Sequence, residues 1–212
     1  MTDSRFTAAY WDERYGSTQR LWSGDPNAAL VEEAAALTPG TALEAGCGEG
    51  ADSLWLASQG WQVTAVDFSA QALRRAEAHT PEHLADRITW RQDDVRSWSA
   101  EPGDDAAAYD LVTAAFLHFP SVVRRRVFAA LAARVAPGGH LLIIGHHPSD
   151  LGTAVPRPPE PDLFYTADDL AADLPASRWA VLTRSARART ATAPDGEPAT
   201  IHDTVLHARR IR

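Results

Sequence analysis

The sequence predicts a doubly wound α/β domain with a seven-stranded, mostly parallel sheet and an antiparallel C-terminal hairpin. Three observations predict it. Short apolar runs alternate with helical patterns from Thr41 to Gly145. A glycine cluster, Gly46-Cys47-Gly48-Glu49-Gly50, stands between the first such run and the first helix after it. Two late β-type runs, Trp179 to Thr190 and Ala199 to Arg209, are joined by the turn signal Pro194-Asp195-Gly196 and not by a helix. At 212 residues the chain suits a single domain, 1–212. Such a domain buries roughly 70% of its unfolded surface and needs no disulfide or metal staple.

The elements follow in order. Residues 1–38 read as an arm rich in aromatics and acids, Tyr10-Trp11-Asp12-Glu13-Arg14-Tyr15 and then Leu21-Trp22-Ser23-Gly24-Asp25-Pro26-Asn27. Its last part, Ala28 to Leu37, is a helix opened by the Asp25-Pro26-Asn27 turn. Pro39-Gly40 turns the chain into a strand that runs through Leu43 to Glu44. Ala51 to Gln59 is a helix, with Gly60 as its C-terminal glycine. Trp61 to Val66 is a strand that stops on Asp67, and Ser69 caps the helix Ala70 to Ala78. Pro81 to Arg87 reads as a linker, and Ile88 to Gln92 as a strand ending on Asp93-Asp94-Val95. Glu101 to Ala108 is a polar loop before the central strand Tyr109 to Ala115, apolar throughout its middle. A helix over Val122 to Val135 is expected to end at Ala136-Pro137-Gly138-Gly139, followed by the strand His140 to Gly145. Residues 147–165, with five prolines, read as a lid-like loop; Thr166 and Asp169 then form a capping box.

Composition excludes several classes. The net charge is −8, and all twenty basic residues are arginine. An acidic balance disfavours a nucleic-acid partner. Arg124-Arg125-Arg126, the one basic cluster, lies within a helical pattern and reads as a solvated face. Cys47 is the single cysteine, so no internal disulfide forms and a reducing, cytoplasmic location is expected. The N-terminus has no signal-peptide pattern, and no apolar run approaches the ~20 residues needed to cross a bilayer. Oligomeric state stays open.

Alternate glycines let the backbone approach a ligand closely, and an acid ending the next strand can accept from both ribose hydroxyls. Nucleoside binding follows, with two readings of the loop. Gly46, Gly48 and Ala51 fit the dinucleotide fingerprint G-x-G-x-x-[G/A]. Glu44, Gly46, Gly48 and Gly50 resemble the E/D-x-G-x-G-x-G loop of class I S-adenosylmethionine (SAM) methyltransferases. Val135-Ala136-Pro137-Gly138-Gly139-His140-Leu141-Leu142-Ile143 is similar to a second segment of that family, and it favours the SAM reading.

That resemblance implies a Rossmann-like fold and transfer of a methyl group from SAM to a sulfur, oxygen or nitrogen of a small-molecule acceptor, releasing S-adenosylhomocysteine. Trp11 with Tyr15, and Trp22-Ser23-Gly24-Asp25-Pro26, resemble the arm of the thiopurine, thiol and tellurite-resistance group, which implies that Trp22 lies against the cofactor. Asp94 matches the acid that accepts from the adenine amino group, and Val95 the residue whose backbone meets the ring. Phe68 either stacks on adenine or plugs the sheet edge. The expected cofactor set is Trp22, Glu44, Gly46, Cys47, Gly48, Gly50, Asp67, Phe68, Asp94, Val95 and Ala115. His118, His146 and His147 follow strands four and five and are the candidate general bases, near an ordinary pKa of ~6.5. Their spacing carries no metal signature. Alternatives of other classes are an NAD(P)-dependent oxidoreductase and a non-catalytic SAM-binding module.

Overall fold

In the computed structural model, residues 6–18, 20–101 and 108–211 are described. The polar loop expected over Glu101–Ala108 falls outside them except at its two ends. Helices α1 (Ala8–Ser17) and α2 (Ala28–Ala34) precede strand β1 (Thr41–Ala45). Then come α3 (Ala51–Ser58), β2 (Gln62–Asp67), α4 (Ala70–Ala78), α5 (Glu82–Ala85) and β3 (Ile88–Gln92). After β4 (Tyr109–Ala115), α6 (Ser121–Ala133) and β5 (Val135–His146), the chain ends with α7 (Ala167–Ala172), β6 (Trp179–Thr192) and β7 (Pro198–Arg210). The sheet order is β3-β2-β1-β4-β5-β7-β6. All pairings are parallel except those of β7, which is antiparallel to both β5 and β6.

β1 and β4 are neighbours although the chain leaves β1 toward β2 and returns to β4. The order therefore reverses between them, and the crevice outside their carboxyl ends is where such sheets bind ligands. Strand side chains alternate between faces. In β5, Leu141 and Ile143 pack with α6 residues such as Leu131, while Leu142 and Ile144 pack with Leu30 of α2 and Leu56 of α3. Cover on both faces explains why the central strands read as continuous apolar runs.

Several boundaries differ from the sequence expectation. The linker over Pro81–Arg87 holds the short helix α5. The arm folds into α1, capped by Thr7, whose hydroxyl accepts from the Tyr10 amide at 3.3 Å. α2 stops at Ala34, short of Leu37. β5 begins at Val135: Tyr109 pairs with Val135 but Leu111 with His140, so the Pro137-Gly138-Gly139 turn is accommodated as an irregularity within the strand, with Gly138 at φ 84°. Arg124 is not on a solvated face. It is 6% exposed, its guanidinium lies 4.9 Å from the Tyr165 ring centroid, and it donates to the Asp162 and Phe164 carbonyls. An arginine stem buried beside an aromatic looks, in a sequence, like any helix-surface charge.

Candidate cofactor and acceptor site

The glycine loop folds as alternate spacing requires. Gly46, Gly48 and Gly50 have φ values of 75°, 53° and 81°, a region that L side chains rarely adopt. The Gly46 and Cys47 amides both donate to the Val66 carbonyl, which fixes the loop to the end of β2. Asp67 ends that strand, 7% exposed; its Oδ2 accepts from the Gly48 amide at 2.9 Å and its Oδ1 from the Ser69 amide at 2.8 Å. Each oxygen keeps a further lone pair for a ligand hydroxyl.

Three acids crowd beneath the loop. Glu44, Asp52 and Asp67 are each less than 10% exposed. Glu44 accepts from the Ser53 hydroxyl, and Asp52 accepts from the Asn27 amide at 2.6 Å. Among the described residues, none of the three has an arginine or histidine partner. Burial, followed by repulsion from Asp52, pushes the Glu44 carboxyl well above the usual range. Burial lifts Asp52 to about 6, and it also raises Asp67 against the pull of the Ser69 and Gly48 amides. Cys47 is buried, and burial together with Glu44 and Asp67 keeps it a thiol. This donor and acceptor set fits a cation. A pyrophosphate would meet acids with no compensating base.

The arm closes over the loop. Tyr15 is buried, and a Cβ at Gly48 would stand 2.9 Å from its hydroxyl and 3.7 Å from Trp22 Nε1. Trp22 Nε1 donates to that hydroxyl at 3.1 Å. Glu49, inside the glycine loop, accepts from the Leu21 and Trp22 amides and pairs with Arg75 of α4 at 2.9 Å. Asp12 of α1 accepts from the Ser69 hydroxyl at 2.6 Å and the Gln71 amide at 3.0 Å. Glu49 and Asp12 thus latch the arm, roles that their sequence positions did not signal.

The adenine-side residues make contacts that the sequence did not signal. Both Asp94 oxygens are held by Arg96, at 2.6–3.0 Å, and the pair keeps the Asp94 carboxyl below its ordinary range. An adenine amino group would have to share Asp94 with that guanidinium. Phe68 is half-buried with the Arg96 guanidinium 5.6 Å from its ring, and Val95 is buried. Ala115 ends β4 at the crevice.

The three histidines are brought to one edge but have unequal freedom. His118 Nδ1 donates to the Leu163 carbonyl at 2.8 Å, which leaves Nε2 to accept from the His146 amide at 3.4 Å. Both of its nitrogens are therefore engaged in holding the segment after β5. His147 Nδ1 accepts from the Ser149 amide at 3.2 Å and caps a short 3₁₀ turn. Only His146 has a buried ring nitrogen, Nδ1, without a partner among the described residues. Its ring stacks on His118 at 4.6 Å and meets Phe116 at 4.8 Å. Burial lowers His118 to about 4; burial, His118, Arg157 and Arg189 lower His146 to about 2. Phe116 was not anticipated. It has φ 55°, the one non-glycine residue with positive φ among those described, and such strain gathers at functional sites.

The lid-like segment is anchored by buried residues at both ends, while residues 151–162 between them are exposed or half-buried. Asp150 is fully buried and accepts from the His202 amide at 2.9 Å; Leu163, Phe164 and Tyr165 are buried as well. A cleft of 390 Å³ lies between α6, α7 and the sheet, and its walls include Phe128, Leu141, Ile143 and Trp179. Among the described residues no cluster of three His, Cys, Asp or Glu could hold a metal ion, and no helix is long and apolar enough to cross a membrane.

Comparison with known proteins agrees with this geometry. Residues 42–139 match the model of a methyltransferase domain. The chain is 30% identical over 146 residues to thiopurine S-methyltransferase of Pseudomonas entomophila, covering 60% of this chain and 66% of that protein. It is 30% identical over 115 residues to a ubiquinone biosynthesis O-methyltransferase of Marinobacter nauticus, covering 53% and 47%. The chain thus spans about half to two thirds of the length of these relatives. Two solved structures share the fold. One, described for the conversion of a disulfide bond into a thioacetal group in echinomycin biosynthesis, has a TM-score of 0.72 at 22% identity over 100% of this chain and 92% of that one. The other, the N-methyltransferase NodS of Bradyrhizobium japonicum with S-adenosyl-L-homocysteine, has a TM-score of 0.70 at 18% identity over 97% and 99%. The domain match covers the glycine loop and strands β1 to β4, so residues 42–139 form a methyltransferase domain, and the chain has the fold of the class I S-adenosylmethionine-dependent methyltransferases.

Proposed function

We propose that this protein transfers the methyl group of SAM to a nucleophilic sulfur, oxygen or nitrogen on a small-molecule acceptor. The observation that carries this reading is the buried trio Glu44, Asp52 and Asp67 under a positive-φ glycine loop, an acidic cradle for a cation. The same trio disfavours a dinucleotide. Asp67 would take the ribose hydroxyls, the loop would cradle the amino-acid end, and Tyr15 and Trp22 would exclude water. SAM supplies the activated methyl group. The chain's own part is to align the acceptor, a contribution that can reach about 7–11 kcal/mol. A cytoplasmic location suits a chain whose single cysteine stays a thiol. The reading is tested by incubating the protein with SAM and a panel of thiols, phenols and amines, and following methylated product and S-adenosylhomocysteine by mass spectrometry. Absence of both across the panel would count against it.

Of the three candidate bases, His146 keeps a proposed role. A protonated His146 is opposed by burial, Arg157 and Arg189, so its Nδ1 would orient the nucleophile by a hydrogen bond instead of storing its proton. Removing a hydrogen bond between neutral groups is worth about 0.5–1.5 kcal/mol, so His146→Ala should lower kcat by about 2- to 10-fold with SAM affinity unchanged. Both histidines stay neutral far below pH 6.5. At saturating SAM, kcat for an acceptor without its own titration should therefore show no histidine step near that pH. SAM affinity behaves otherwise. Asp52 is ionised only above about pH 6, so the attraction for a cation should weaken as the pH falls through that value. Titrations of kcat and of SAM affinity from pH 8 to 5 check both signs.

The segment after β5 is proposed to serve the acceptor. Removing residues 151–160, while keeping Asp150 and the buried Leu163 and Phe164, should raise the acceptor KM with little change in SAM affinity. An equal loss of both would make the segment a structural strap.

A further inference from the structure

The C-terminal hairpin carries a second set of polar groups to the carboxyl edge. His146, the last residue of β5, pairs with Asp203, and β7 starts further out at Pro198, so the hairpin overhangs the strand ends. Asp203 is 5% exposed. Its Oδ2 accepts from Arg189 Nε of β6 at 2.7 Å, and its Oδ1 is buried with no partner among the described residues. Paired residues on neighbouring strands share a sheet face. His146, opposite Asp203, has its orphaned Nδ1 there. Arg157, in the segment after β5, is 12% exposed; it donates to Asp150 at 3.4 Å through one terminal nitrogen, while its Nε is buried and unpartnered. Asp150 in turn accepts from the amide of His202, the neighbour of Asp203 in β7, so Arg157 lies at the same end of the sheet.

Three of the six orphaned buried polar atoms among the described residues thus belong to residues at one end of the sheet, from three separate segments of chain. Buried polar groups are nearly always bonded, and leaving one unpaired costs about 1–3 kcal/mol. The strained Phe116 adds a flat wall continuous with His146, with the Arg189 guanidinium 5.9 Å from its ring. Charge narrows the class of ligand. Arg189 is paired with Asp203 and Arg157 with Asp150, so the site is already balanced and an ionic ligand would upset it.

We propose that Asp203 Oδ1, Arg157 Nε and the Phe116–His146 wall form the acceptor-recognition site, and that they take a neutral planar heterocycle whose edge presents an N–H or O–H donor beside a hydrogen-bond acceptor. The donor meets Asp203, the acceptor meets Arg157, and the ring lies along Phe116. The inference rests on the methyltransferase reading for its purpose, but binding can be measured without turnover.

The test uses quinolin-2(1H)-one, which has a lactam N–H next to a carbonyl, and its N-methyl derivative, which has lost the donor. Each is titrated by ligand-observed NMR, with and without S-adenosylhomocysteine. The parent compound should bind saturably, and the N-methyl compound at least tenfold more weakly. Asp203→Ala should bring the two to equal affinity while leaving S-adenosylhomocysteine affinity unchanged; Arg189, 41% exposed, stays solvated when its partner is lost. Equal binding of the two compounds to the unmutated protein, or no binding of either, overturns the proposal without recourse to any variant. So does a tenfold preference that survives in Asp203→Ala. Failure of S-adenosylhomocysteine itself to bind would instead overturn the methyltransferase reading.

Discussion

Gly48→Val should abolish SAM binding, a loss of more than a hundredfold, while the sheet stays folded. Gly48 has φ 53°, and a β-branched residue is strained there before it meets any neighbour. Its Cβ would then stand 2.9 Å from the Tyr15 hydroxyl, the group that Trp22 Nε1 also contacts. Relief requires the loop to shift, which breaks the bond from the Gly48 amide to Asp67, or the arm to lift, which opens the crevice to water. Neither movement touches the strand pairs of β1 with β2 and β4. Circular dichroism and the melting temperature report on the fold, and calorimetry with S-adenosylhomocysteine reports on binding. A valine variant that folds and binds normally would reduce the glycines to turn residues.

Asp67→Ala should weaken SAM and S-adenosylhomocysteine binding by at least ten- to a hundredfold. A hydrogen bond to a charged group is worth about 1.5–3 kcal/mol, and the proposed contact uses both carboxylate oxygens. The structure adds a second effect. Asp67 also holds the Gly48 and Ser69 amides, so its loss frees the glycine loop from one side and the start of α4 from the other. Asp67→Asn separates the two contributions, because the amide keeps an acceptor for one backbone group and gives up the charge. Affinity unchanged in both variants would mean that Asp67 serves the loop alone.

Much of this was legible in the sequence, for physical reasons. Buried parallel strands have to be apolar on both faces, so β1, β2, β4 and β5 showed as short apolar runs, and Ser69 and Thr166 marked helix starts by the caps they form. The glycine loop was legible because its conformation admits little else. What stayed hidden depends on partners distant in sequence. Glu49 latches the arm through Leu21, Trp22 and Arg75, and nothing local distinguishes it from a surface acid. Arg124 read as a solvated charge until Tyr165 and the Asp162 and Phe164 carbonyls surrounded it. Asp94 fitted the family pattern, yet its neighbour Arg96 takes both of its oxygens. The three histidines looked equivalent as strand-end residues. Their hydrogen bonds separate them, and burial moves His118 and His146 away from the pKa that made histidine attractive as a base. Phe116 carried no sequence signal at all, since positive φ in an aromatic residue is imposed by its surroundings.

The acidic cradle under the glycine loop is tested most directly by calorimetry of the purified protein with SAM, S-adenosylhomocysteine and NADH under one set of conditions at pH 7.5. Saturable binding of SAM and S-adenosylhomocysteine, with SAM weakening as the pH is lowered through about 6, is the result expected from Glu44, Asp52 and Asp67. Tight binding of NADH with no binding of SAM would contradict it.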